Sequence, residues 1–147
     1  MISVDTNILL FSYCEASPYH ADAKAFLASL ATREDVALSE FVLSEFYLHL
    51  RNPVILDQPL DAGEAVEVVQ SYRQHPRWQI LGFPPRSRAL HSALWKQAAA
   101  HHFARRRIYD VRIALCLQAF GINEFATANV KDFEGLGFSK VWNPLKP

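Results

Sequence analysis

Apolar residues along this chain fall into short continuous runs separated by stripes at helical spacing, the pattern of buried strands with helices laid against them. Ile2 to Val4 reads as a first strand ending at Asp5, and Asn7 to Tyr13 as a helix, so the first carboxylate sits where a strand hands over to a helix. Ser17-Pro18 supplies an N-cap residue and a proline at the first helical position. Ala21, Ala25, Phe26 and Leu30 then continue one stripe to a helix end near Thr32. Val36 to Leu38 is a second strand, after which Ser39 caps a helix carrying Val42, Leu43, Phe46, Tyr47 and Leu50 up to the stop signal Asn52-Pro53.

Past a loop with Pro53 and Pro59, a helix is expected from about Asp61 to Tyr72, and a third strand over Trp78 to Leu81, closed by Gly82 and Pro84-Pro85. Ser87 to Arg106 predicts one long helix with a basic end. Tyr109-Asp110 opens another, with Ile113, Ala114 and Leu117 inward and Gly121 as its C-terminal cap. Glu124 to Thr127 is a fourth strand, Val130 to Phe133 a turn or short helix, and Lys140 to Asn143 a last strand. The alternation predicts an α/β domain of three layers, with a mostly parallel four- to five-stranded sheet and helices on both faces.

A length of 147 residues allows one domain, and 50% apolar content gives it a core. No apolar run approaches the roughly 18 residues needed to cross a bilayer. The opening Met-Ile-Ser-Val-Asp lacks a basic leader, so export is not expected. Cys14 and Cys116 lie far apart in apolar segments, which suits reduced packing thiols and a cytoplasmic setting. The net charge is zero, but residues 1–70 carry eleven acidic and three basic residues, while residues 71–112 carry nine basic residues and only Asp110. The two blocks either neutralise each other or place an acidic site beside a basic shelf for a polyanion.

Asp5, Glu45, Asp110 and Asn129 share one architectural address, since each follows a strand or opens a helix that would face the carboxyl edge of a parallel sheet. Taken singly, each also reads as a cap or a solvated acid. Together, like charges at close range repel unless a cation joins them. A set of oxygen donors without cysteine or histidine spacing selects Mg²⁺, or Mn²⁺, and such an ion suits hydrolysis of a phosphodiester.

The order of motifs resembles the PIN-domain ribonucleases, and within them the VapC-type toxins of bacterial toxin–antitoxin pairs. The matching blocks are Val4-Asp5-Thr6-Asn7, Leu38-Ser39 through Val42-Leu43-Ser44-Glu45-Phe46 with Arg51-Asn52-Pro53, Tyr109 to Ala114, Thr127 to Phe133, and Val141 to Leu145. The resemblance spans nearly the whole chain. It implies a PIN fold with Asp5, Glu45 and Asp110 on a catalytic divalent metal, Thr6 and Asn7 supporting the first-strand loop near the substrate, and RNA as that substrate. It also implies a small antitoxin that blocks the site, and a homodimer. Many members carry an aspartate where Asn129 stands, so Asn129 is the favoured fourth ligand, with Asp132 and Thr127 as further candidates. The amide at position 129 also raises an alternative, a PIN-like module that binds RNA or a protein without cleaving.

Arg105-Arg106-Arg107, behind His101-His102, could steer phosphates to the metal, with Arg112 expected to reach deepest; the competing explanation is a cationic helix C-terminus. No histidine pair has i, i+4 spacing, which argues against zinc. Tyr47, Trp78, Trp95 and Phe103 are expected in the core or an interface rather than against bases.

Overall fold

The computed structural model describes residues 1–145. In chain order its elements are β1 (Ile2–Val4), α1 (Thr6–Tyr13), α2 (His20–Leu30), β2 (Val36–Ser39), α3 (Glu40–Leu50) and α4 (Ala62–Arg73). These are followed by β3 (Gln79–Leu81), α5 (Ser87–Ala98), α6 (Arg107–Ala119), β4 (Glu124–Ala126), α7 (Val130–Phe133) and β5 (Lys140–Trp142). The five strands form one sheet in the order β3-β2-β1-β4-β5, and every neighbouring pair is parallel.

Alternation along the strands sorts the core into two layers. Ile2, Val4, Val36 and Leu38 point to one face and pack with Ile8, Leu9, Leu27, Leu30, Val42 and Phe46 from α1, α2 and α3. Ala37 and Phe125 point to the other face, where Leu117 of α6 and Phe133 of α7 cover them. The chain steps outward from β1 to β2 to β3, then returns to lay β4 on the opposite side of β1. The order therefore reverses between β1 and β4, and the carboxyl ends of these two strands frame the crevice where α/β sheets bind ligands.

Local chemistry sets the helix ends. Ser39 caps α3 through its hydroxyl, which accepts the Phe41 N–H at 3.1 Å. Asp61 and Glu64 form a reciprocal capping box at the start of α4. Helix α6 ends as expected at Gly121, whose φ of 82° permits the N–H of Ile122 to reach the Leu117 carbonyl and that of Gly121 the Gln118 carbonyl.

Two expectations fail. Ser17-Pro18 does not open α2: the Ser17 hydroxyl accepts the Tyr19 N–H, its carbonyl accepts the His20 N–H, and this turn delays the helix to His20. The long helix over 87–106 is also shorter, because residues 99–102 are all exposed and offer no apolar face to bury. Helix α5 stops at Ala98, and a turn-rich connection delivers the chain to α6 at Arg107. His101, His102, Arg105 and Arg106 therefore lie in a loop, and the arginines stand at the N-terminus of α6 rather than at a helix C-terminus.

Candidate active site

Asp5 ends β1 and caps α1. Its N–H donates to the Ala126 carbonyl of β4 at 2.9 Å, which fixes the backbone across the β1–β4 crevice. Its Oδ1 accepts the Thr6 N–H at 2.8 Å, and its Oδ2 accepts the Thr127 hydroxyl at 2.7 Å and the Asn7 amide at 3.0 Å. With about four acceptor directions on a carboxylate, one remains open.

Thr127, fully buried just past β4, locks the two sides together. While donating to Asp5 it accepts the Asn129 N–H at 3.0 Å and the Asn7 amide at 3.3 Å. Asn7 in turn accepts the Ala128 N–H on its Oδ1 at 3.1 Å. Thr6 is buried, and its hydroxyl donates to Glu45 Oε2 at 2.9 Å, tying α1 to α3. Thr6 and Asn7 thus hold the acidic side chains and the loop after the first strand, the supporting part of their expected role.

Burial pushes the Asp5 carboxyl up to about 6 from an ordinary 3.8, against the opposing bonds from Thr127 and Thr6, and the charges of Glu45 and Asp110 add to the rise. The Asp110 carboxyl, in the first turn of α6, is likewise pushed to about 6, by desolvation first, then by Asp132 and Glu45; only Arg107 pulls it down. Asp5 thus feels the charges of Glu45 and Asp110, and Asp110 those of Asp132 and Glu45, although the residues come from distant stretches of the chain. As they stand, no three His, Cys, Asp or Glu side chains among the described residues close tightly enough to ligate one ion. The donor set nonetheless fits a hard dication. Asp5 has a free lone pair, and the Asp110 carboxylate and the Asn129 amide make no hydrogen bond among the described residues, so oxygen donors are left open for an ion. A cleft of about 490 Å³ is lined by Asn129, Lys131, Asp132 and Asn143, the side of the crevice that carries the two fourth-ligand candidates; Asp5, Glu45 and Asp110 are not in its lining.

Arg112 does not reach Asp110. Its guanidinium lies 4.5 Å from the Phe41 ring centre, and the cation felt by Asp110 is Arg107, whose Nη1 donates to the Asp132 carbonyl at 3.3 Å. Sequence reasoning also missed His49, whose Nε2 stands 3.6 Å from Glu45 Oε1; the i, i+4 spacing on α3 was the available signal. Of the aromatics, Trp78 is in the core and donates to the Leu30 carbonyl at 3.0 Å, whereas Trp95 stands 63% exposed on α5.

The PIN-domain family model matches residues 2–138 of this sequence. Ribonuclease VapC24 of Mycobacterium tuberculosis is 45% identical over 145 residues, which cover 99% of this chain and 97% of that protein. The chain belongs to the PIN-domain family, in its VapC group. The architecture of this PIN domain also matches solved structures at lower identity. VapC20 of M. tuberculosis, described as a toxin cleaving the sarcin–ricin loop, superposes with a TM-score of 0.67 at 19% identity, covering 94% of this chain and 96% of that one. VapBC2 of Rickettsia felis, solved on a promoter DNA fragment, superposes at 0.69 and 18% identity, covering 99% and 100%. FitAcB of Neisseria gonorrhoeae superposes at 0.66 and 24% identity, covering 98% of each.

Within this PIN domain, Thr127→Val tests the brace on Asp5. Removing a buried hydrogen bond to a carboxylate is expected to cost about 1.5–3 kcal/mol at pH 7.5. The loss should shrink toward pH 5, where protonated Asp5 no longer depends on that donor. Urea unfolding at the two pH values measures it, and equal losses would show that the bond does not serve the charge.

Proposed function

We propose that this PIN domain is a metal-dependent endoribonuclease and the toxin half of a toxin–antitoxin pair. The observation that carries the proposal is the convergence of Asp5, Glu45 and Asp110 at the β1–β4 switch point, with two carboxyls raised to about 6. Kinship with Ribonuclease VapC24 supports RNA as substrate. The VapBC2 structure supports a cognate antitoxin as partner; the family resemblance adds a homodimer, and the two separated free cysteines suit a cytoplasmic setting. Among the described residues no helix is long and apolar enough to cross a membrane.

Asp5, Glu45 and Asp110 would hold the Mg²⁺ or Mn²⁺, with Asn129 or Asp132 completing the oxygen set. The ion, when bound, activates water and offsets the charge that builds on the phosphodiester. The chain's part is placement. Thr127, Asn7 and the Thr6 N–H hold Asp5 in one orientation, Thr6 Oγ1 sets Glu45, and Arg107 adds positive charge beside Asp110.

Incubating purified protein with end-labelled RNA should give internal cleavage in Mg²⁺ or Mn²⁺ and none in EDTA. Absence of cleavage in both metals would overturn the proposal. The unbonded Asn129 amide favours one second reading, a module that binds RNA or protein without cutting. On that reading the parent is silent, and Asn129→Asp, by restoring a charge, awakens it.

A further inference from the structure

The carboxyl edge of the sheet continues past the acidic cluster to β2 and β3, and the segments just beyond those strands carry aromatic side chains. Phe41, in the first turn of α3, precedes Glu45 by four residues, so the two side chains share one face of the helix a turn apart. Phe83, two residues beyond β3, packs edge-on against Phe41 with ring centres 6.2 Å apart, yet the residue is 84% exposed. The guanidinium of Arg112 covers the Phe41 ring at 4.5 Å.

Both groups pack on Phe41, yet the Phe83 ring stays open to solvent and the arginine has no ion-pair partner among the described residues. A phenylalanine this open contributes little to the core, and Arg112 meets no carboxylate among the described residues. Its Nε is buried without a hydrogen-bond partner, so nothing in the fold satisfies this guanidinium by an ion pair or at Nε, and only its Nη nitrogens remain for an outside acceptor. Stacking on an aromatic ring holds a guanidinium flat, and its two Nη nitrogens then form a fork suited to a phosphate. An exposed aromatic face beside such a fork is the chemistry of a single-stranded nucleotide site, where a base stacks and its phosphate is gripped.

We propose that Phe83, Phe41 and Arg112 form a nucleotide-gripping ledge one helical turn from Glu45, which takes an unpaired nucleotide of the RNA with its base on Phe83 and a phosphate on Arg112. This rests on the RNA-cleaving reading above and adds the residues that choose and seat the strand. Phe41 is a positioning residue that orients the arginine.

The test uses the full chain and a fluorescent single-stranded RNA, read by cleavage kinetics in Mg²⁺ and by anisotropy in EDTA. Phe83→Ala, at an exposed position, should leave the melting temperature unchanged, raise KM about tenfold and weaken binding by a similar factor; Phe83→Trp should restore both. Arg112→Lys keeps the charge but loses the fork, and should also raise KM while preserving the salt slope. A parent that neither binds nor cuts RNA would sink the ribonuclease reading itself. A parent that cuts RNA, with KM and affinity unchanged in both Phe83→Ala and Arg112→Lys, would overturn the ledge alone. Loss confined to binding of a protein partner would overturn it too.

Discussion

Asp110→Asn is expected to lower RNA cleavage by about a hundred- to a thousandfold and, in the same protein, to raise its stability when no metal is present. The opposite signs follow from one cause. Desolvation and the charges of Asp132 and Glu45 make the ionised carboxylate unfavourable in the fold, and no hydrogen bond among the described residues depends on it. An amide of the same shape removes that repulsion. Asp110 is partly open to solvent, so the shift to about 6 is discounted for screening, leaving a gain of about 1 kcal/mol and roughly 2–4 °C in melting temperature. Asp5→Asn should lose activity to a similar degree but gain less stability than its buried charge suggests. The new amide would set a donor against the Asn7 amide, which now donates to Oδ2. An Asp110→Asn protein that is both active and no more stable than the parent would remove that carboxylate from the site.

The parent's own pH dependence follows from the same groups. A carboxyl whose folded pKa is raised binds its proton more tightly in the native state than in the unfolded chain. Its penalty is therefore absent below about 3.8, grows as pH climbs, and is complete above about 6. In EDTA the protein should gain stability on acidification from pH 7.5 to 5, the reverse of a fold held by paired carboxylates. Saturating Mg²⁺ should flatten that gain by offsetting the repulsion.

Much of this architecture is legible in the sequence because strands buried on both faces leave short, mostly apolar runs, as at Ile2 to Val4, interrupted only by Ser3, and at Val36 to Leu38, and because Asn52-Pro53 and Gly121 punctuate helices by steric rules. The acidic set was legible for a similar reason: parallel strands all point their carboxyl ends one way. The sequence concealed tertiary choice. Ser17-Pro18 is a legitimate helix opening, but its hydroxyl found a nearer partner in the Tyr19 N–H. The alanines after Ala98 have high helix propensity, but propensity without a buried face does not extend α5. Which partners Thr6 and Asn7 would brace was not legible, because a hydroxyl and an amide can bond to any neighbour the fold brings near. Arg112 stands only two residues from Asp110, yet that separation turns them about 200° apart on a helix, and Phe41 rather than the carboxylate receives the guanidinium.

The corrected position of the arginine run carries the second large prediction. Cations at a helix C-terminus are favoured by the dipole and need no other reason, but Arg105 and Arg106 precede the N-terminus of α6, where the dipole opposes them. Among the described residues neither has a carboxylate partner. Their charge is thus unmatched within the described residues, and under the proposed ribonuclease function the RNA backbone is the anion that would meet it. Replacing both with Gln should weaken binding of single-stranded RNA about tenfold or more at low salt and reduce the slope of log affinity against log salt by about 1.4, or about 0.7 for each phosphate no longer neutralised. The pH dependence of cleavage should stay where it was. Arg107→Gln should behave differently, because Arg107 holds down the Asp110 carboxyl. Its removal should raise that pKa further, so the acidic limb of the pH–rate profile moves to higher pH along with any loss of affinity. Titrating RNA binding at several salt concentrations, beside pH–rate profiles for both variants, separates the two roles. If Arg105 and Arg106 can be neutralised without flattening the salt slope, the loop before α6 does not touch the RNA backbone.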